Sequence, residues 1–193
     1  MADETTKPLP NALVVDDEQE VADAYALRLR GLCDVDTVYD GRDALSAVAN
    51  DAVDVMLLDR HMPGMSGDDV LSELDTDEFY GRVIMVTAID PGFDVLDMPF
   101  DDYLCKPIER EDIRAAVNQQ CTILGYETLG EYFSLEAKRN VIEAELPGNQ
   151  REDHEEYQRM SNRGQRLEQR ASRLLDDFET MVENFDAIGR EGR

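Results

Sequence analysis

Between residue 12 and about residue 120, short apolar or β-branched runs alternate with stretches of helical period. The runs lie at 12–15, 35–38, 53–58, 83–86 and 103–105, and several are apolar throughout rather than alternating. Continuous apolarity is what a strand buried on both faces of a parallel sheet requires. The intervening stretches 18–30, 41–50 and 66–74 have helical spacing, and 109–120 follows the last strand in the same way. Five strands alternating with helices predict an α/β domain built on a doubly wound parallel sheet. In such sheets, groups that do chemistry sit beyond the carboxyl ends of the strands.

After residue 121 the period changes. Residues 127–146 predict one amphipathic helix, and Pro147-Gly148-Asn149-Gln150 a turn in which Asn149 and Glu152 have the spacing of a capping box. A second, longer helix should follow. Its apolar positions Tyr157, Met160, Gly164, Leu167, Ala171, Leu174, Phe178, Met181, Phe185 and Ile188 fall three and four apart, as in a heptad seam. Leu175 and Val182 widen that face, while Gly164 and Ala171 thin its first half. Two arrangements satisfy the pattern: an antiparallel hairpin with 127–146, or pairing with a second chain. The longer helix outruns the shorter one, so a hairpin with self-association at its far end is expected. The resulting division is a tail over 1–10, an α/β domain over 11–121, and a helical hairpin or coiled-coil extension over 125–193.

Charge narrows the class of partner. The 193 residues include 44 Asp and Glu against 19 Lys and Arg, a formal net charge of −25. Such a chain is repelled by nucleic acid and by anionic membrane surfaces. No stretch approaches the ~20 apolar residues of a membrane-spanning helix, and the acidic start lacks the apolar segment of a secretion signal. Cys33, Cys105 and Cys121 have neither the number nor the spacing of a disulfide framework or zinc site. A cytoplasmic location is expected. Only Lys7, Lys106 and Lys138 are lysines, a balance that resembles proteins of salt-loving archaea, whose carboxylates are screened by salt. In such a chain each remaining lysine needs a reason.

The strand ends supply one. The first strand runs into Asp16-Asp17, the third into Asp59, the fourth into Thr87 and the fifth into Lys106. Carboxylates gathered at one sheet edge raise one another's pKa and invite a hard divalent cation such as Mg²⁺. With a lysine and a hydroxyl beside them, they suit phosphoryl transfer to a carboxylate.

The same residues carry a family likeness. Leu13-Val14-Val15-Asp16-Asp17-Glu18, Leu57-Leu58-Asp59-Arg60-His61-Met62-Pro63-Gly64-Met65-Ser66-Gly67, Met85-Val86-Thr87-Ala88 and Asp102-Tyr103-Leu104-Cys105-Lys106-Pro107 together resemble the receiver domain of two-component response regulators, over about 11–120. That likeness implies a flavodoxin-like strand order of 2-1-3-4-5. It implies a phosphoacceptor at Asp59, served by a sensor histidine kinase, and Mg²⁺ held by Asp16, Asp17, Asp59 and the His61 backbone carbonyl. Thr87, Lys106 and the backbone N–H groups of Ala88 and Arg60 are implied to bind the phosphoryl oxygens. Thr87 and Tyr103 are implied as the switch pair, and Pro107 as the partner in a cis peptide. One stretch departs from the family: Pro91, Gly92 and Pro99 leave room for only a short or irregular fourth helix.

Residues 131–139 resemble the HalX domain that follows receivers in haloarchaea. In the helical tract, Arg151, Arg159, Arg163, Arg166, Arg170 and Arg173 are offset by neighbouring acids, and no recognition-helix turn is visible. A protein partner is therefore favoured over DNA for the output, whose target the residues do not name. Other readings are a phospho-independent scaffold, which the intact acidic cluster and Lys106 argue against, and an aspartyl-phosphate phosphatase, which needs a D-x-D motif that Asp16-Asp17-Glu18 does not supply. The chain is not expected to be an enzyme beyond taking part in its own phosphorylation and dephosphorylation.

Overall fold

The computed structural model describes residues 7–50, 53–74, 79–88, 91–148, 151 and 154–188. The candidate cap formed by Asn149 and Glu152 lies outside them, as does most of the expected tail. The chain divides into two compact units at Cys121 and Thr122.

In the first unit, β1 (Asn11–Val15), β2 (Asp34–Val38), β3 (Val55–Asp59), β4 (Arg82–Thr87) and β5 (Asp102–Cys105) form one parallel sheet in the order β2-β1-β3-β4-β5. This is the doubly wound architecture expected from the strand pattern. The central strands are apolar because both of their faces are covered: every residue of β3 is buried, and so are all but the first of β1 and of β4. The edge strands β2 and β5 are only partly buried, and their sequences are correspondingly polar.

Leu13, Val15, Met56, Leu58 and Met85 form one core with Ala44 of α2 (Gly41–Asn50) and with Val70 and Leu71 of α3 (Gly67–Glu73). On α1 (Gln19–Leu29), Ala22, Tyr25 and Leu29 are buried at helical spacing. Short side chains set the helix starts. Asp40 accepts the N–H groups of Arg42 and Asp43 ahead of α2. Ser66 and Asp69 form a reciprocal capping box at α3. Between β4 and β5 the described residues include a short 3₁₀ turn, Phe93–Asp97.

The helical tract differs from the sequence expectation in two places. Residues 109–120 and 127–146 belong to one continuous helix, α4 (Arg110–Glu145). Glycine inside a helix costs about 1 kcal/mol, but Gly125 lies where a Cβ would come within 2.7 Å of the Leu175 side chain. The bare backbone there is a packing surface rather than a helix end. Conversely, the long seam helix breaks into α5 (Glu155–Leu174) and α6 (Phe178–Asp186), with Leu175 extended at φ −111° and ψ 131°.

The reason for the break is tertiary. α5 runs antiparallel to α4, with Tyr157 donating to Glu143, Arg163 to Glu131, and Gly164 opposite Leu135. A straight continuation in that register would carry Phe178 and Phe185 beyond Thr122. The break instead folds α6 back. Phe178 joins Leu129, Tyr132, Ala171 and Leu175 in a core, and Phe185 stacks on Phe133 with centroids 4.3 Å apart. Of the expected seam, Ile188 stays 59% exposed. Part of the apolar face is covered within the chain: Ala171 and Phe178 are buried, and Leu167, Met181 and Val182 pack beside them.

Leu175 is the keystone of this second core. Leu175→Ala is expected to cost about 2–5 kcal/mol, seen as a lower denaturant midpoint by circular dichroism.

Candidate functional site

The sheet order brings the ends of β1, β3, β4 and β5 to one edge. Asp16 follows β1 directly and is 2% exposed; Asp59 closes β3 and is 5% exposed. The Lys106 ammonium lies between them, 2.8 Å from Asp16 Oδ2 and 2.8 Å from Asp59 Oδ1. The remaining oxygens are also engaged: Asp16 Oδ1 accepts the Glu18 N–H at 3.0 Å, and Asp59 Oδ2 accepts the His61 N–H at 3.0 Å. The Lys106 N–H donates to the Thr87 carbonyl at 2.6 Å, tying the β5 end to the β4 end. Thr87 itself is fully buried, and the Lys106–Pro107 peptide is cis.

One ammonium serves two buried carboxylates, and that shortage of positive charge governs the electrostatics. Burial pushes the Asp59 carboxyl above its ordinary range; Lys106 opposes the rise and the Asp16 charge adds to it. Burial works against the Lys106 charge, yet hydrogen bonds and attraction from Asp16 and Asp59 hold its pKa above the usual lysine value. A carboxylate held beside a fixed cation at a strand end can meet an incoming anionic group with part of the repulsion already offset.

Residues 12–118 match the response regulator receiver domain and residues 122–188 match the HalX domain. The chain belongs to the response regulator family. A Haloferax volcanii protein named as a transcriptional regulator is 40% identical over 158 residues, covering 81% of this chain and 26% of the relative. The transcriptional regulatory protein CutR of Streptomyces coelicolor is 40% identical over 109 residues, 54% of this chain and 50% of that one. The chain thus spans about a quarter to a half of these curated relatives. Among solved structures, a signal receiver domain from Vibrio parahaemolyticus superposes with a TM-score of 0.60 at 27% identity, covering 64% of this chain and 98% of that domain. Receiver and HalX domains in sequence place this regulator in two-component signalling, a system in which receivers are served by histidine kinases. Among the described residues, no helix is long and apolar enough to cross a membrane.

Asp17 lies on the exposed turn after Asp16, outside the Lys106 cluster, and His61 is exposed beside Asp59. The Arg60 N–H was expected to face a phosphoryl group, but it donates to the Val86 carbonyl at 3.1 Å. The parallel ladder runs one residue past Asp59 and takes that donor; the N–H that reaches the Asp59 carboxylate belongs to His61. The Arg60 guanidinium is turned aside by a two-pronged pair with Asp68. Ala88 is exposed at the end of β4. Tyr103 is half-buried against the core, its ring 5.5 Å from that of Phe100.

For Mg²⁺ the donor chemistry fits in kind, since hard carboxylate oxygens outnumber the cations among them. Asp16 and Asp59 already take a cation in the form of Lys106. Among the described residues, no three carboxylate, imidazole or thiolate groups gather about one point.

Two contributors escape a reading by motif. Gly67 opens α3, and a Cβ there would lie 2.4 Å from the Asp59 carbonyl oxygen, so only glycine lets α3 start against the end of β3. Tyr25 on α1 is buried within reach of the Lys106, Asp16 and Asp59 charges; burial raises its phenol pKa. Its only signal in sequence is the inward spacing Ala22, Tyr25, Leu29.

Because the folded-state pKa of Asp59 is raised, its neutral form is favoured by folding. Stability is then lost as pH rises from the unfolded carboxylate range through the raised value. Asp59→Asn removes the charge and keeps the shape. At pH 7 the variant is expected to melt higher, by ~2–4 °C for each ~1 kcal/mol gained. The gain should vanish in acid, where Asp59 is protonated in both states. A lower melting temperature at pH 7 would mean that attraction to Lys106 outweighs burial.

Proposed function

We propose that this response regulator accepts a phosphoryl group on Asp59 from the phosphohistidine of a sensor histidine kinase. The observation that carries this reading is the Lys106 ammonium held at 2.8 Å from both Asp59 and Asp16. An Asp59 oxygen attacks phosphorus, the O–P bond forms, and the N–P bond of the phosphohistidine breaks, its electron pair returning to the imidazole. Lys106 follows the phosphoryl oxygens, and Thr87 hydrogen-bonds one of them. The Ala88 N–H and the His61 N–H, which already donates to Asp59 Oδ2, serve as backbone donors to the new group. Asp16, Asp17, Asp59 and the His61 carbonyl would hold Mg²⁺, which supplies neutralising charge for the transferring group. The burial of Asp16 and Asp59 with a single shared ammonium supports a further cation at this edge.

When Thr87 engages the phosphoryl group, Tyr103 is the aromatic positioned to follow it inward, altering the surface beside β5. The functional division is a receiver over 11–121 and an output module over 125–193. The output works by protein–protein contact. Three of its arginines are paired with acids of the same tract, Arg163 with Glu131, Arg159 with Glu155 and Arg151 with Glu143, which supports a protein partner over the DNA backbone. Relatives named as transcriptional regulators extend over segments that this chain does not match, so that naming does not carry a DNA-binding reading here. The setting is cytoplasmic, in keeping with three free cysteines.

Incubation with Mg²⁺ and acetyl phosphate at high salt is expected to give a shifted band on a phosphate-affinity gel for the parent and none for Asp59→Asn. Absence of a shift in the parent would leave the scaffold reading in its place. Gly67→Ala, which presses on the Asp59 backbone, is expected to slow the phosphorylation several-fold without abolishing it. An unchanged rate would mean that the acceptor loop yields freely.

A further inference from the structure

Lys106 is gripped at its ammonium by two carboxylates, but its backbone stands in a turn that has left the sheet. Arg28, in the last turn of α1, holds the outer side of that turn. One of its Nη atoms donates to the carbonyl of Ile108, two residues beyond the lysine. The guanidinium carbon lies 5.5 Å from the centroid of the Tyr25 ring, a cation–aromatic contact on a buried side chain. Arg28 is itself held from behind. Arg114 of α4 donates to the Arg28 carbonyl at 2.9 Å and to the Arg30 carbonyl at 3.3 Å, engaging helix-end acceptors that have no partner within α1. On its inner side the turn is tied by the Lys106 N–H to Thr87. The segment carrying the lysine is therefore clamped between β4 and the end of α1.

We propose that Arg28 is a positioning residue for Lys106, pinning the Lys106–Ile108 turn to α1 so that the ammonium stays aimed between Asp16 and Asp59. The inference takes the phosphoryl-binding role of Lys106 from the function proposed above, but the aiming is a property of the resting chain and is tested there.

The scarcity of lysine makes the test clean. With only Lys7, Lys106 and Lys138 in the full chain, amine acetylation followed by mass spectrometry reads each one, and the two exposed lysines serve as internal references. Lys106, with a side chain 18% exposed and two carboxylate partners, should react slowly. Arg28→Met keeps the stem over Tyr25 and deletes the donor. It is expected to raise Lys106 acetylation several-fold relative to Lys7 and Lys138, and to lower the maximal rate of phosphorylation by acetyl phosphate at unchanged half-saturating Mg²⁺. Arg28→Lys, which can still donate to Ile108, should restore both.

Unchanged Lys106 acetylation in folded Arg28→Met overturns the proposal. So does a uniform rise at all three lysines, which would mean that Arg28 only holds the fold together. A parent chain that shows the labelling pattern but takes no phosphoryl group would sink the proposed function and leave the positioning role standing.

Discussion

The sharing of one ammonium between Asp16 and Asp59 is the constraint on which the functional edge rests. The two acids stand at the ends of β1 and β3, adjacent strands of the sheet, while Lys106 comes from beyond β5, with β4 between it and Asp59. Strands lie about 4.8 Å apart, so only a long stem crossing the end of β4 can bring the cation to both. That crossing brings Thr87 into the same cluster, as the residue over whose carbonyl the lysine backbone is tied. Removing the lysine would leave two buried carboxylates uncompensated, the costly outcome for such groups, whereas removing one acid leaves Lys106 paired with the other. The strand order, the burial of the acids and the aim of the lysine thus stand or fall together.

Much of this was legible in sequence because the governing signals are local. Apolar runs without alternation mark strands covered on both faces, and Asp16, Asp59, Thr87 and Lys106 stand where those runs stop. The exceptions are all tertiary. Which backbone donor faces Asp59 depends on how far the β3–β4 ladder runs: one residue further, and the Arg60 N–H is taken by Val86 and replaced by that of His61. No local pattern encodes that length.

The helical tract makes the same point with opposite signs. Gly125 weakens a helix by propensity, yet α4 runs through it because Leu175 packs on its bare surface. The heptad spacing through Leu174 and Phe178 favours one long helix, yet the chain breaks there because Tyr132 and Phe133 offer the aromatic residues a better place. Propensity and period are weak beside a buried aromatic core. Once α6 has folded back, the exposed apolar side chains of this unit, such as Tyr126, Val141 and Ile188, are scattered along its elements. Single exposed apolar residues are ordinary on a protein surface.

The choice of cation at the functional edge also has a physical reason. The chain uses arginine almost everywhere, and where it does so the planar fork is in use: Arg60 pairs two-pronged with Asp68, and Arg28 lies over a ring while donating to a carbonyl. A fork matches one carboxylate, or one plane, at a time. The group between Asp16 and Asp59 must instead satisfy two carboxylates from different strands. A compact ammonium with three rotatable donors meets that demand and a guanidinium does not. In a chain with so few lysines, the one at position 106 is retained where a point charge is needed, and the arginines around it supply the fixed geometry that a flexible stem lacks.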